Sequence, residues 1–212
     1  MIKAALFDLD GVVFDTEPQY TKFWNEEGKH YFPGEPDFAY KIKGRTLVEI
    51  FDLYFQDFKA DQPKLVEHIA EFESHMSFEY VPGFPEFVSE LRKMGLRIAI
   101  VTSSDLSKMQ KVYQAHPEFR PLVDKVLTAE DFSKSKPDPD CYLKGAESFG
   151  LYPEDCVGFE DSFNGLKAVR AADMLTIGLA TTNSEESIRR YSDFVIKDYT
   201  NWKAEIGQLF GL

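Results

Sequence analysis

The amino-acid sequence predicts an α/β protein, a doubly wound parallel sheet with a helical segment inserted near the N-terminus. Three observations predict it. Short, almost wholly apolar runs alternate with helix-like stretches, the pattern of strands buried on both faces of a parallel sheet. Several of those runs end in acids or hydroxyls. One interval, from about Glu17 to Tyr80, breaks the alternation and carries no convincing buried strand.

The elements follow in order. "KAALFDLD" at 3–10 is the first expected strand, and Gly11 suits a sharp exit from the sheet. "PQYTKFWNEEGKHYF", "TLVEIFDLYFQDF" and "PKLVEHIAEFESHM" then repeat apolar residues at helical spacing. They predict an inserted helical domain over 17–80, with a core domain formed by 1–16 and 81–212. "EYVPGF" at 79–84 marks the return to the sheet. "PEFVSELRKMG" at 85–95 is a helix stopped at Gly95, and strands are expected at 96–103, 125–131, 155–161, 174–180 and 193–198. "SFNGLKAVRAADM" at 162–174 has Ser162 at the N-cap position, and "CYLKGAESFG" reads as a helix that buries Cys141 against the sheet. A short amphipathic helix, "NWKAEIGQLFGL", closes the chain.

Composition narrows the function classes. The chain has 212 residues, enough for a substantial core, with 43% hydrophobic and 28% charged residues and a net charge of −12. That balance argues against nucleic acid or an anionic membrane as partner, since either needs a basic face. It leaves room for a small anionic ligand in a locally cationic pocket. Cys141 and Cys156 give no disulfide framework. "MIKAALFD" is too short an apolar run for a signal peptide, so a cytoplasmic address is expected; a monomer is expected as well. His30, His68, His75 and His116 lack metal-ligand spacing and read as structural. The 19 Phe and 10 Tyr read as core packing.

The chemistry lies at the strand ends. Asp8 and Asp10, two apart, are expected on one face at the carboxyl end of the first strand, where open α/β sheets bind ligands. Alone, such a pair also fits an ordinary solvated strand end. "IAIVTSSD" adds Thr102, Ser103 and Ser104, "SKSKPDPD" adds Lys136 before Pro137, and "VGFEDSFNG" adds Glu160 and Asp161. A nucleophile, an ammonium, hydroxyl donors and acids able to hold a cation are the parts of phosphoryl transfer. Hard oxygen ligands with no His–Cys cluster favour Mg²⁺.

With "DLDGVVFDT", "VTSS", Lys136 in "KSKPDPD" and "GFEDSFNG" in this order, the chain resembles the haloacid dehalogenase superfamily. The likeness covers nearly the whole chain and is greatest to the branch with an α-helical cap that contains β-phosphoglucomutases and sugar-phosphate phosphatases. The resemblance implies Asp8 as nucleophile, Asp10 as general acid and base, and Thr102 and Lys136 on the phosphoryl group. It implies Mg²⁺ on the Asp8 carboxylate, the Asp10 backbone carbonyl and Asp161, with Glu160 direct or through water. Glu17, Arg45, Ser103 and Asn164 are the expected substrate-binding residues. Asp10 argues against dehalogenation, since dehalogenases of this family lack the second aspartate. Where β-phosphoglucomutases have a histidine, "DTEPQYTKFW" aligns Tyr20, and Val48 falls near their loop arginine. A phosphatase of a small, sugar-phosphate-like metabolite is therefore expected. A phosphohexomutase is the alternative, followed by a pyrophosphatase or a non-catalytic Mg²⁺-binding module.

Overall fold

The computed structural model describes residues 2–43 and 45–212; Met1 and Gly44 lie outside the described residues. Strand β1 (Ala4–Phe7) is followed by helices α1 (Glu17–Tyr31), α2 (Phe38–Ile42), α3 (Leu47–Tyr54) and α4 (Gln62–Ser74). The alternation then runs α5 (Phe84–Lys93), β2 (Arg97–Val101), α6 (Leu106–Ala115), α7 (Phe119–Leu122), β3 (Lys125–Leu127), α8 (Asp140–Ser148) and β4 (Cys156–Glu160). It ends with α9 (Phe163–Ala171), β5 (Leu175–Leu179), α10 (Glu185–Ile188), β6 (Phe194–Ile196) and α11 (Trp202–Ile206).

Among the described residues, six strands form one sheet in the order β3-β2-β1-β4-β5-β6. Every neighbouring pair is parallel. The chain runs outward to one side of β1 and then to the other, so the switch point lies between β1 and β4, where such sheets leave a crevice. In β1, Ala5 and Phe7 face one side of the sheet and Ala4 and Leu6 the other, all fully buried. Phe7 stacks on Phe159 at 4.4 Å between ring centres and meets Phe84 edge-on at 5.4 Å. Trp24, Phe38, Ile50, Phe55 and Leu65, from the helices between β1 and α5, pack in a separate apolar cluster.

The strands are shorter than the apolar runs, for local reasons. β1 stops at Phe7, so Asp8 and Asp10 lie in the turn beyond the strand rather than within it. Asp8 extends the ladder by one bond, its N–H reaching the Phe159 carbonyl at 3.1 Å, before Val13 and Phe14 fold back onto the Leu9 carbonyl. The expected strand at 125–131 divides after Leu127. Thr128 and Asp131 form a reciprocal capping box that winds Ala129–Asp131 into a 3-10 turn. Ser162 caps α9 as expected, its hydroxyl accepting from the Gly165 N–H at 3.0 Å. No described helix is long and apolar enough to cross a membrane.

Truncating Phe7 to Ala should cost about 3–5 kcal/mol of unfolding free energy, whereas Tyr152→Ala, at a side chain 73% exposed, should stay within about 0.5 kcal/mol of wild type. Denaturant unfolding measures both, and equal costs would contradict the assigned core.

Candidate active site

The ends of β1, β2 and β4 converge on one buried ammonium. Lys136, 1% exposed, donates to Asp8 Oδ1 at 2.6 Å, to Glu160 Oε1 at 2.6 Å and to the Val101 carbonyl at 3.2 Å. Glu160 is wholly buried and fully engaged. Its Oε1 also accepts from the Tyr142 hydroxyl at 2.9 Å, and its Oε2 from the Asp161 N–H at 3.2 Å and the Ser162 hydroxyl at 3.2 Å. Such saturation is what a buried carboxylate requires. Glu160 therefore holds Lys136 in place with both oxygens already occupied, which is more than the sequence anticipates for it.

Asp8, Glu160 and Asp161 bring carboxylate oxygens within 4.8 Å of one another, a cluster able to hold a metal ion. Two features fit a hard cation. The buried Oδ2 of Asp161 has no hydrogen-bond partner among the described residues. Gly11, at φ +73°, leaves that oxygen room, since a Cβ there would lie 2.2 Å from it. The carboxylate of Asp10 is not a member of this cluster.

Asp10 is held instead by Lys108, which the sequence reading missed. The Lys108 ammonium, 2% exposed, lies 2.5 Å from both Asp10 oxygens. Thr16 also donates to Asp10, and Ser104 does so at 3.1 Å. The signal was present: Lys108, Met109 and Val112 form the buried face of α6, and a lysine on an apolar helical face calls for an anionic partner. The lysines leave the two aspartates differently tuned. Burial pushes the Asp8 carboxyl up to about 7, with Glu160 and Asp10 adding to the rise and Lys136 opposing it. Burial also acts on Asp10, but Lys108, Thr16 and Ser104 together hold it below its ordinary value. Burial, then the charges of Glu17, Glu160 and Asp8, hold Asp161 well above the carboxylate range.

The remaining expected residues distribute unevenly. Thr102 is buried at the end of β2, its hydroxyl accepting from the Ser104 N–H at 3.0 Å, and Ser103 lines the cleft with a buried hydroxyl that has no partner among the described residues. Glu17 lines the cleft paired with Lys43. Arg45 lines it too, its buried Nε without a partner among the described residues. Asn164 does not join them. It lies in a neighbouring cavity and donates to the Lys43 carbonyl at 3.1 Å, tying α9 to the helical segment. The loop after β5, unforeseen in the sequence, completes the rim: Thr181 donates to the Gly11 carbonyl at 2.6 Å and Asn183 to the Asp161 carbonyl at 2.9 Å. Cys141 is inert, its thiol pushed up to about 12 by burial. His116 bonds the Phe78 carbonyl at 2.8 Å and contacts Glu118, a structural role.

The acids and lysines open into a cleft of about 670 Å³ between the sheet's C-terminal edge and helices α1 to α4. The family model for haloacid dehalogenase-like hydrolases matches residues 2–173, and the chain belongs to that family. Validoxylamine A 7'-phosphate phosphatase of Streptomyces hygroscopicus subsp. limoneus is 27% identical over 207 residues, 94% of this chain and 95% of that protein. Hexitol phosphatase A of Escherichia coli (strain K12) is 30% identical over 177 residues, 80% of this chain and 79% of its own length. The solved structure of a family IA, variant 3 hydrolase of this superfamily from Entamoeba histolytica HM-1:IMSS superposes with a TM-score of 0.80. It is 23% identical, with 94% of this chain and 95% of that one covered.

The shift of Asp8 sets a pH dependence. Its carboxyl rises from an ordinary 3.8 to about 7 on folding. In the cation-free protein the associated stability is thus fully present below about pH 4 and lost as pH rises through about 7. A divalent cation at the cluster competes with that proton, so the gain in Tm on adding Mg²⁺ should be larger at pH 8 than at pH 5. Thermal unfolding with and without chelator checks it; a gain equal at both pH values would count against cation binding by these acids.

Proposed function

We propose that this chain is a Mg²⁺-dependent phosphatase of a small phosphorylated metabolite, with sugar phosphates, the class named for several relatives, as first candidates. The observation that carries this reading is Asp8 at the carboxyl end of β1, paired at 2.6 Å with buried Lys136 and opening onto the cleft. In the first half-reaction an Asp8 carboxylate oxygen attacks phosphorus, the ester P–O bond breaks, and the departing oxygen takes a proton from Asp10, which must first be loaded from solvent or from the preceding turnover because Lys108 favours its ionised form. In the second, Asp10 takes a proton from water as that water attacks the aspartyl-phosphate, releasing phosphate and restoring Asp8. Lys136 and the hydroxyls of Thr102 and Ser103 donate to phosphoryl oxygens.

Asp8 and Asp161 would hold Mg²⁺, with Glu160 fixing their surroundings. When bound, the ion supplies neutralising charge to Asp8 and the phosphoryl oxygens. Lys108 is a positioning residue: it fixes Asp10 and favours its ionised form, the form that accepts a proton from water. Tyr20 supports hydrolysis over the mutase alternative. Its hydroxyl donates to Glu73 at 2.8 Å and its ring lies 4.4 Å from the Lys108 ammonium, so it is already committed.

In this reading residues 17–80 act as a cap over a core of 1–16 and 81–212. The separate apolar cluster of Trp24, Phe38 and Phe55 supports the division. The two connecting segments run side by side, with the Asp15 N–H bonded to the Glu79 carbonyl at 2.8 Å, so the cap is hinged on a narrow base.

Phosphate release from sugar phosphates, nucleotides and pyrophosphate, with Mg²⁺ and with chelator, tests the activity. Mg²⁺-dependent release is expected, and Asp8→Asn should lower it about 10³-fold or more while retaining cooperative unfolding. Activity of that variant comparable to wild type would end the mechanism. Lys108→Met removes the ammonium that lowers Asp10, so the limb of the kcat/KM–pH profile governed by Asp10 should move to higher pH. An unmoved limb would mean Lys108 does not tune Asp10.

A further inference from the structure

The two walls of the cleft differ in chemistry. The wall from the sheet's edge is polar, with Ser103, Ser107, Lys111 and Glu130 in addition to the acids and lysines already described. The wall from the helical segment carries an apolar stripe. On α3, Val48 and Phe51 are three apart; on α4, Val66, Ile69 and Ala70 recur at spacings of three and four, so each set projects from one helical face. Val48 is 69% exposed and Val66 44%. Apart from Ala129, the facing wall offers these side chains no partner of their own kind. Closing the cleft on itself would set this stripe against serines and charges, which desolvates polar groups for no apolar gain.

The polar groups on the same wall are already used. Tyr20 donates to Glu73, which also receives Lys111 at 3.0 Å. The Thr21 hydroxyl donates to the Glu17 carbonyl at 2.8 Å, and Glu17 pairs with Lys43. Apart from Arg45, little remains there to satisfy a ring of sugar hydroxyls, and each hydroxyl buried without a partner opposes binding. A cleft of about 670 Å³ also falls in the range that encloses ligands well beyond a phosphoryl group and a short polyol.

Accepting the phosphatase reading above, on which this rests, but in place of its sugar-phosphate candidates, we infer that the preferred substrate is a phosphomonoester whose body is apolar, an alkyl or aryl group. Its phosphate meets Asp8 and Lys136, and its body lies along the α3–α4 stripe. Polarity is thereby sorted across the cleft: the sheet's edge recognises the phosphate and the helices recognise hydrocarbon.

The test compares hexyl phosphate with glucose 6-phosphate, both monoesters of primary alcohols, so that leaving-group basicity is closely matched. With Mg²⁺ and wild-type protein, kcat/KM should favour hexyl phosphate by about tenfold or more, and it should rise along butyl, hexyl and octyl phosphates as more methylenes reach the stripe. The double variant Val48→Asn, Val66→Asn changes two exposed positions, and it should reduce the hexyl-to-glucose ratio about tenfold. The chain-length series needs no variant and stands if the double variant folds poorly. Preference for glucose 6-phosphate, a flat chain-length series, or an unchanged ratio in the folded variant would overturn the inference and leave the phosphatase reading intact. Absence of phosphate release from every ester, with Mg²⁺ present, would overturn both.

Discussion

Burying the Lys136 ammonium to 1% exposure removes its hydration, and the bonds to Asp8, Glu160 and the Val101 carbonyl are what replace it. Much of the site is arranged around that requirement. Glu160 is satisfied in the interior by Lys136 and the Tyr142 hydroxyl on one oxygen and by the Asp161 N–H, the Ser162 N–H and the Ser162 hydroxyl on the other. Tyr142 belongs to α8 and Ser162 caps α9, so one buried charge pair fixes two helices against the ends of β1, β2 and β4. Removing one partner from such a network leaves an uncompensated charge and costs about 3–5 kcal/mol. A buried pair like this is weak evidence of net stability, but it sets geometry firmly: Asp8 can stand in only one place.

Two lysines acting on two aspartates give the site its asymmetry. Asp8 shares Lys136 with Glu160 and lies near Asp10, so burial and repulsion from those acids outweigh Lys136 and its carboxyl rises. Asp10 has Lys108 to itself, with Thr16 and Ser104 as further donors, so its carboxyl falls. The two neighbouring acids therefore titrate apart, Asp8 high and Asp10 low; a cation held by Asp8 and Asp161 would favour the ionised Asp8 that the proposed attack requires. The surplus negative charge around Asp161 and its orphaned Oδ2 are the complement of a cation. The same principle of complementarity extends outward into the cleft, where a polar wall faces an apolar one.

What the sequence made legible was whatever repeats locally or ends a strand. Six apolar runs predicted six strands, and their terminal residues, Asp8, Thr102 and Glu160, converge because parallel strands deliver all their carboxyl ends to one edge. Ser162 as a cap was equally legible, since capping depends on three or four consecutive residues. Lys136 stood out by its place before a proline and among acids, and Cys141 by lying on the apolar face of a helix.

Other features were decided by contacts between distant residues. Lys108 and Asp10 are 98 positions apart, and nothing local in either segment names the other. Glu160 stands in the acid cluster, and only the tertiary structure shows that both its oxygens already accept from neighbouring donors. Asn164 is the second residue of α9, three positions beyond Asp161, yet its amide goes to the Lys43 carbonyl. The apolar stripe of α3 and α4 reads in sequence as ordinary helix packing; that it lines the cleft follows from how the helices between β1 and α5 fold over the sheet's edge. The sequence by itself therefore determined the sheet and the chemical inventory at its carboxyl edge, because periodicity and strand ends are local properties. Tertiary structure alone decided which charge pairs with which and what faces the cleft, because those depend on distances between segments that no local pattern encodes.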